Sequence, residues 1–209
     1  MNQQTPETPT DLTARLAAAL ERIGEAARVL LRSAATAENV SSTQAQLLLR
    51  VSGTGAEAAD AGIGALARWL DVSAPTASDA TSALERKGLI ARRVDQPDGR
   101  KVEVAPTARG AKVTLRLRAW DQPLQEALAA TAPAGDFARA PADAAMLDRA
   151  RATIAELQRA GVIKIARTCR GCRFFDTTRS EGAPYWCHLL AQQLEPATLR
   201  IDCAEYQAS

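Results

Sequence analysis

Apolar side chains recur along the chain in two rhythms. From Asp11 to about Thr36, Leu12, Leu16, Leu20, Ile23, Ala27 and Leu30 return every three or four residues, which predicts one face of a long helix. A second helix is predicted from about Ser42 to Val51, with Leu47, Leu48 and Val51 inward, and Gly53 and Gly55 follow it. Ile63 to Leu70 reads as a short helix and Asp71-Val72-Ser73 as a turn. Ser73 suits an N-cap, Pro75 suits the first helical turn, and the helix they start should stop at Gly88. The rhythm then switches to alternation: Leu89 to Val94 and Lys101 to Val104 flank the turn Asp95-Gln-Pro-Asp-Gly99, the pattern of a β-hairpin. Helix, turn, helix and hairpin in that order predict a winged helix-turn-helix within a mostly α protein with a small β-wing.

Beyond the hairpin, Val113, Leu117, Trp120, Leu124 and Leu128 line one face of a helix expected from about Thr107 to Ala130. Thr131 to Pro141 is rich in Ala, Pro and Gly and reads as a loop. Ala142 to Ala160 reads as a further helix ending at Gly161. Met1 to Thr10 is polar, contains Pro6 and Pro9, and reads as a disordered arm. It lacks the basic-then-apolar pattern of a signal peptide, and no stretch of about 18 apolar residues exists to span a membrane, so a cytoplasmic protein is expected. The expected organisation is an arm over 1–10, a winged-helix domain with terminal dimerisation helices over 11–160, and a cysteine-rich module over 161–209.

The net charge of +2 is unevenly spread. Residues 63–118 hold 11 basic and 6 acidic side chains, whereas the segments on either side are mildly acidic. A basic middle points to an anionic partner or to a solvated helix face, and the landmarks decide between them. Leu66 to Ser78, Leu84 to Arg93, Asp95 to Lys101 and Pro106 to Gly110, in that order, resemble the MarR family of regulators over roughly residues 10–160. The resemblance implies a homodimer whose first and last helices interlock and whose helix-turn-helix reads a palindromic operator in double-stranded DNA.

The residues themselves agree with that chemistry. A helix that enters the major groove presents its first turns to base edges. Here those turns carry Ser73, Pro75, Thr76, Ser78 and Asp79. Thr76 and Ser78 can hydrogen-bond a base or a phosphate, and Ser73 and Thr76 serve equally well as a helix cap. The helix departs from the family in having no Arg or Lys at its start. Asp79 stands where many members are basic, and it either accepts from cytosine N4 or repels phosphate. Arg100 and Lys101 in the wing suit a narrow minor groove, or Arg100 bonds Asp98 within the turn. Arg92 and Arg93 beside the wing suit phosphates.

All four cysteines fall in the last 41 residues, as Cys169-x2-Cys172-x14-Cys187-x15-Cys203. A disulfide framework is not expected in a reducing compartment, so the cluster suggests a metal centre with these four as ligands. Structural zinc sites usually supply two C-x2-C pairs, and this pattern supplies one; iron–sulfur clusters accept more scattered thiolates. Phe174, Phe175, Tyr185, Trp186 and Tyr206 are five of the eight aromatics in the chain and offer an apolar shell. The lone histidine, His188, directly follows Cys187 and reads as a surface residue rather than a ligand. Cys169-Arg-Gly-Cys-Arg-Phe-Phe with Tyr185-Trp-Cys resembles the cysteine-rich small subunits of benzylsuccinate synthase-type enzymes, which implies a [4Fe-4S] cluster, with zinc as the alternative.

The expectation is therefore a DNA-binding regulator whose operator affinity follows a cysteine-ligated cluster, by redox, gas or iron sensing. One alternative is a small-molecule-responsive repressor with a structural zinc site. Another is an electron-transfer or enzyme-associated iron–sulfur protein that uses its helices only to dimerise. No Ser/His/Asp arrangement or phosphate-binding glycine loop suggests an enzyme.

Overall fold

The computed structural model describes residues 9–53, 62–94, 102–132, 136–163, 167–178, 185–195, 198–201, 203 and 205–207, without the side chains of 9–11, 93–94, 102–103 and 136–140. Seven helices and two small sheets occur among these residues: α1 (Pro9–Ala37), α2 (Ser42–Val51), α3 (Ile63–Leu70), α4 (Ala74–Arg86), β1 (Ile90–Val94), β2 (Val102–Pro106), α5 (Ala108–Leu117), α6 (Gln122–Ala130), α7 (Asp136–Arg159), β3 (Phe175–Asp176), β4 (Tyr185–Cys187) and β5 (Gln192–Leu194). None of the described helices is long and apolar enough to cross a membrane. Eight of the ten residues expected to form the arm, 1–8, lie outside the description, and α1 begins at Pro9.

Local chemistry sets the helix ends. Ser41 accepts from Gln44 N while the Gln44 side chain accepts from Ser41 N, both at 3.2 Å, a reciprocal cap that starts α2. Ser73 caps α4 by accepting from Thr76 N at 3.2 Å, with Pro75 in the first turn. Thr107 caps α5, accepting from Gly110 N at 3.0 Å, and its hydroxyl donates to Gly88 O at 2.7 Å. Gly88, with φ +66°, lets the chain leave α4 for the hairpin. Gly110 is required by space: a Cβ there would lie 1.8 Å from Leu89 O, so only glycine lets α5 approach the start of β1 this closely.

Strands β1 and β2 pair antiparallel from Ile90↔Pro106 to Val94↔Val102, so β2 runs two residues beyond the expected Val104. One core joins this hairpin to the helices around it. Leu31 and Ala35 of α1, Leu47 and Leu48 of α2, Leu66 of α3, Leu84 of α4, Ile90 and Val104 of the hairpin, and Val113 and Leu117 of α5 are all buried together.

Two helical expectations need correction. The helix expected from Thr107 to Ala130 is two helices, α5 and α6. Pro123 has no N–H, and in a continuous helix its ring would clash with the carbonyl of Ala119, so the helix breaks and restarts with Pro123 in the first turn of α6. The expected loop over 131–141 is largely helical, because α7 starts at Asp136 and carries Pro141 inside it. Proline this near a helix start removes a single ladder bond, which the alanine-rich turns around it tolerate.

After α7, a 3-10 turn at Cys169–Gly171 leads into a three-stranded sheet of order β3-β4-β5. Phe175 pairs with Cys187 and Tyr185 with Leu194.

Candidate DNA-reading surface and cysteine centre

Helix α4 is held by its inner face. Ala77, Ala80 and Leu84 are buried, and the buried Thr81 hydroxyl is satisfied by donating to Ala77 O at 2.7 Å. The turn before α4 is sharp because Asp71 takes the left-handed conformation, φ 50° and ψ 45°, at the end of α3. These anchors leave Pro75, Thr76 and Asp79 exposed at the start of α4, with Ser78 half-buried. The Ser73 and Thr76 hydroxyls bond each other at 2.7 Å, so the cap and the reading edge share the same atoms.

Arg92 stays partly exposed and is held from two sides. Its guanidinium donates to Ser82 Oγ at 2.7 Å and lies 3.3 Å from Glu85 Oε2, bracing β1 against α4. Arg100, Lys101 and the side chain of Arg93 lie outside the described residues.

The cysteine module is strapped to α7 by polar contacts. Arg170, between the first two cysteines, donates to both carboxylate oxygens of Asp148 at 2.6 Å and to Tyr185 Oη at 3.2 Å. Tyr206 and Gln158 bond at 3.0 Å. Phe175 and Tyr185 pack with ring centroids 5.3 Å apart. His188 is exposed and bonds Asp176 Oδ2 at 3.1 Å. Two hydrogen bonds from Thr178 and that from His188 hold the Asp176 carboxyl at about 2.

All four cysteines are half-buried free thiols. Cys172 N donates to Cys169 O at 3.0 Å, the tight turn expected of a C-x2-C pair. The neighbouring Cys172 and Cys187 thiols add to the factors that raise the Cys169 thiol. Arg200 ties in the fourth: its backbone N–H donates to Cys169 Sγ at 3.3 Å and its guanidinium to Cys203 Sγ at 3.8 Å. Cys203 Sγ also contacts Glu205 Oε2 at 3.4 Å. Burial pushes both the Cys169 and Cys203 thiols up. Arg151 of α7 is 2% exposed, and its charged neighbours are Asp148, Arg170 and the Cys169 thiol. Among the described residues no three His, Cys, Asp or Glu side chains are drawn close enough to enclose a metal ion.

Sequence reasoning missed Arg151, Arg200 and Thr168 around the thiols. Thr168 is 1% exposed, and its hydroxyl has no hydrogen-bond partner among the described residues. Arg200 sits three residues before Cys203, a spacing that was legible; Arg151 lies on another element and was not.

Residues 40–102 match the MarR family. No curated protein matches the chain. Among solved structures the chain is similar to the YusO protein from Bacillus subtilis, at 16% identity over 69% of this chain and 99% of that one, TM-score 0.51. It is also similar to MepR, a transcription regulator of the Staphylococcus aureus multidrug efflux pump MepA, at 19% identity over 61% of this chain and 91% of that one, TM-score 0.50. The match to the MarR family thus covers the part of the chain from α2 to the start of β2, and the chain shares its winged-helix fold with those two proteins.

Proposed function

We propose that the protein is a homodimeric DNA-binding transcription regulator, not an enzyme, whose affinity for a palindromic operator follows the state of an iron–sulfur cluster held by Cys169, Cys172, Cys187 and Cys203. The observation that carries the DNA-binding reading is the capped α4 with its exposed start beside the hairpin, within a MarR family domain. The dimer is supported by α1, where Leu12, Leu16, Leu20 and Ile23 form an apolar stripe exposed by 39–53%. Full burial of each such side chain is worth about 1.5–3 kcal/mol, enough to hold two copies together through their long helices.

The cysteine residues suit the group in their chemistry. Four thiolates around a cluster carry net negative charge, and the buried Arg151 and the bridging Arg200 stand beside them. The orphaned Thr168 hydroxyl next to Cys169 is a donor that a thiolate or cluster sulfur would satisfy. Enclosing a metal requires Cys203 to give up Glu205, so metal binding and closure of the module are one event. A bound cluster supplies a charge that changes with oxidant, nitric oxide or iron supply. Asp148, Gln158 and Arg151 pass the state of the module to α7, and in this reading α7 packs at the dimer interface and sets the spacing of the two α4 helices.

Footprinting should show two half-sites about one helical turn apart, roughly 10 bp. A single half-site, or binding indifferent to sequence, would overturn the reading. Iron and sulfide analysis of anaerobically purified protein should find both elements; zinc alone would make the module structural and leave a small molecule as the signal.

A further inference from the structure

A second site lies away from both regions. The turn between α1 and α2, the last turn of α4 and one face of α5 border an open hollow of about 400 Å³. Arg86, Lys87, Arg109, Lys112 and Arg116 line it, with Glu38 as the one carboxylate. Glu38 is already taken by Arg116, which donates to both of its oxygens at 2.6 and 2.7 Å. Lys87 is engaged with Asn39 O and Gln44 Oε1, and Arg109 spends one nitrogen on Lys87 O. Arg86 and Lys112 have no acceptor among the described residues.

Ordinary helix electrostatics accounts for only part of this charge. Arg86 and Lys87 sit at the C-terminal end of α4, where cations are favoured. Arg109 lies in the first turn of α5, where a cation opposes the helix dipole and no acidic residue offsets it. Arg109, Lys112 and Arg116 also follow one another at helical spacings of three and four, which sets like charges side by side. Arg86 also lies roughly 15 Å along the helix from Thr76, at the opposite end of α4 from its exposed start.

We propose that this hollow is a binding site for a small polyphosphate anion. A single carboxylate neutralises one charge of a lining that carries four in excess, whereas a diphosphate or triphosphate group concentrates several negative charges within this volume. Guanidinium forks and an ammonium are the donors that phosphoryl oxygens take. An anion here would tie the end of the reading helix to α1 and α5, giving the regulator a second input. That consequence rests on the DNA-binding reading; the binding itself does not.

The test is calorimetric titration of the DNA-free, full-length protein with inorganic pyrophosphate, with citrate and acetate as comparisons. Saturable binding of one pyrophosphate per chain is expected, and acetate should give none. Arg86→Gln and Lys112→Gln should each weaken it at least tenfold, about 1.4 kcal/mol, with unfolding midpoints unchanged. Absence of saturable binding, both variants binding like the parent, or citrate binding more tightly than pyrophosphate would overturn the proposal. So would a fall of about 1 in the salt slope of DNA binding for each variant, because the cations would then be phosphate contacts to the duplex. Failure to bind any operator would overturn the regulator reading and leave the pyrophosphate result standing.

Discussion

The winged-helix unit and the cysteine module are held together in different ways. In the first, Leu47, Leu48, Leu66, Leu84, Ile90 and Leu117 are all fully buried in one core that ties five helices to the hairpin. In the second, the buried side chains among the described residues are Leu194, Leu199 and Thr168, and beside the Phe175–Tyr185 ring pair the module leans on polar contacts: Arg170 on Asp148, Tyr206 with Gln158, Arg200 between two thiols. Apolar burial makes the first unit self-supporting. So small a module has too little apolar area to fold on its own and needs a metal or another staple. Under the proposed function, the first unit would stay folded in every state while loading of the centre would tighten the second.

The sharpest way to break this comparison is at Gly110. Gly110→Ala drives a methyl onto the Leu89 carbonyl and should cost about 3 kcal/mol or more, because the backbone itself must move. Denaturant unfolding followed by helical circular dichroism should show the main transition shifted by that amount; a parental midpoint would mean that α5 does not sit so close. Cys203→Ala should leave that transition unmoved while removing metal retention and the separate transition of the module, read by metal analysis and thermal scanning. A shift of the main transition by the same variant would show that the two regions fold as one.

Smaller effects sharpen the boundary. Ser73→Ala removes the α4 cap and should cost about 1 kcal/mol of stability, with weaker operator binding because Thr76 loses the bond that orients it. Asp148→Asn breaks a part-exposed bidentate pair worth about 1 kcal/mol or less and should reduce the difference in operator affinity between metal-loaded and metal-free protein without changing either transition much. Equal coupling in that variant would remove Arg170 and Asp148 from the link.

Much of the winged-helix unit was legible because its signals are local. Ser73 and Pro75 mark the start of α4, Gly88 its end, and the alternation after Leu89 the hairpin. The two misjudged segments were proline positions whose effect depends on context: Pro123 restarts a helix, whereas Pro141 is absorbed within one. The cysteine spacing pointed to a centre, but its surroundings come from residues far apart in sequence. Arg151 on α7 has the Cys169 thiol among its charged neighbours, and Arg200 bridges Cys169 and Cys203. The contacts of Arg92 were likewise not legible, since Ser82 and Glu85 lie on α4 and meet it only through the fold. The polybasic hollow was legible only as a net excess of charge, because its cations come from the end of α4 and from α5, which the fold brings together.

The most direct test of the account is an anaerobic titration of one operator with oxidised, reduced and metal-free protein at fixed salt. Loss or oxidation of the centre should change operator affinity at least tenfold, about 1.4 kcal/mol. Equal affinity of all three forms would contradict the account and leave the cysteine module a structural appendage.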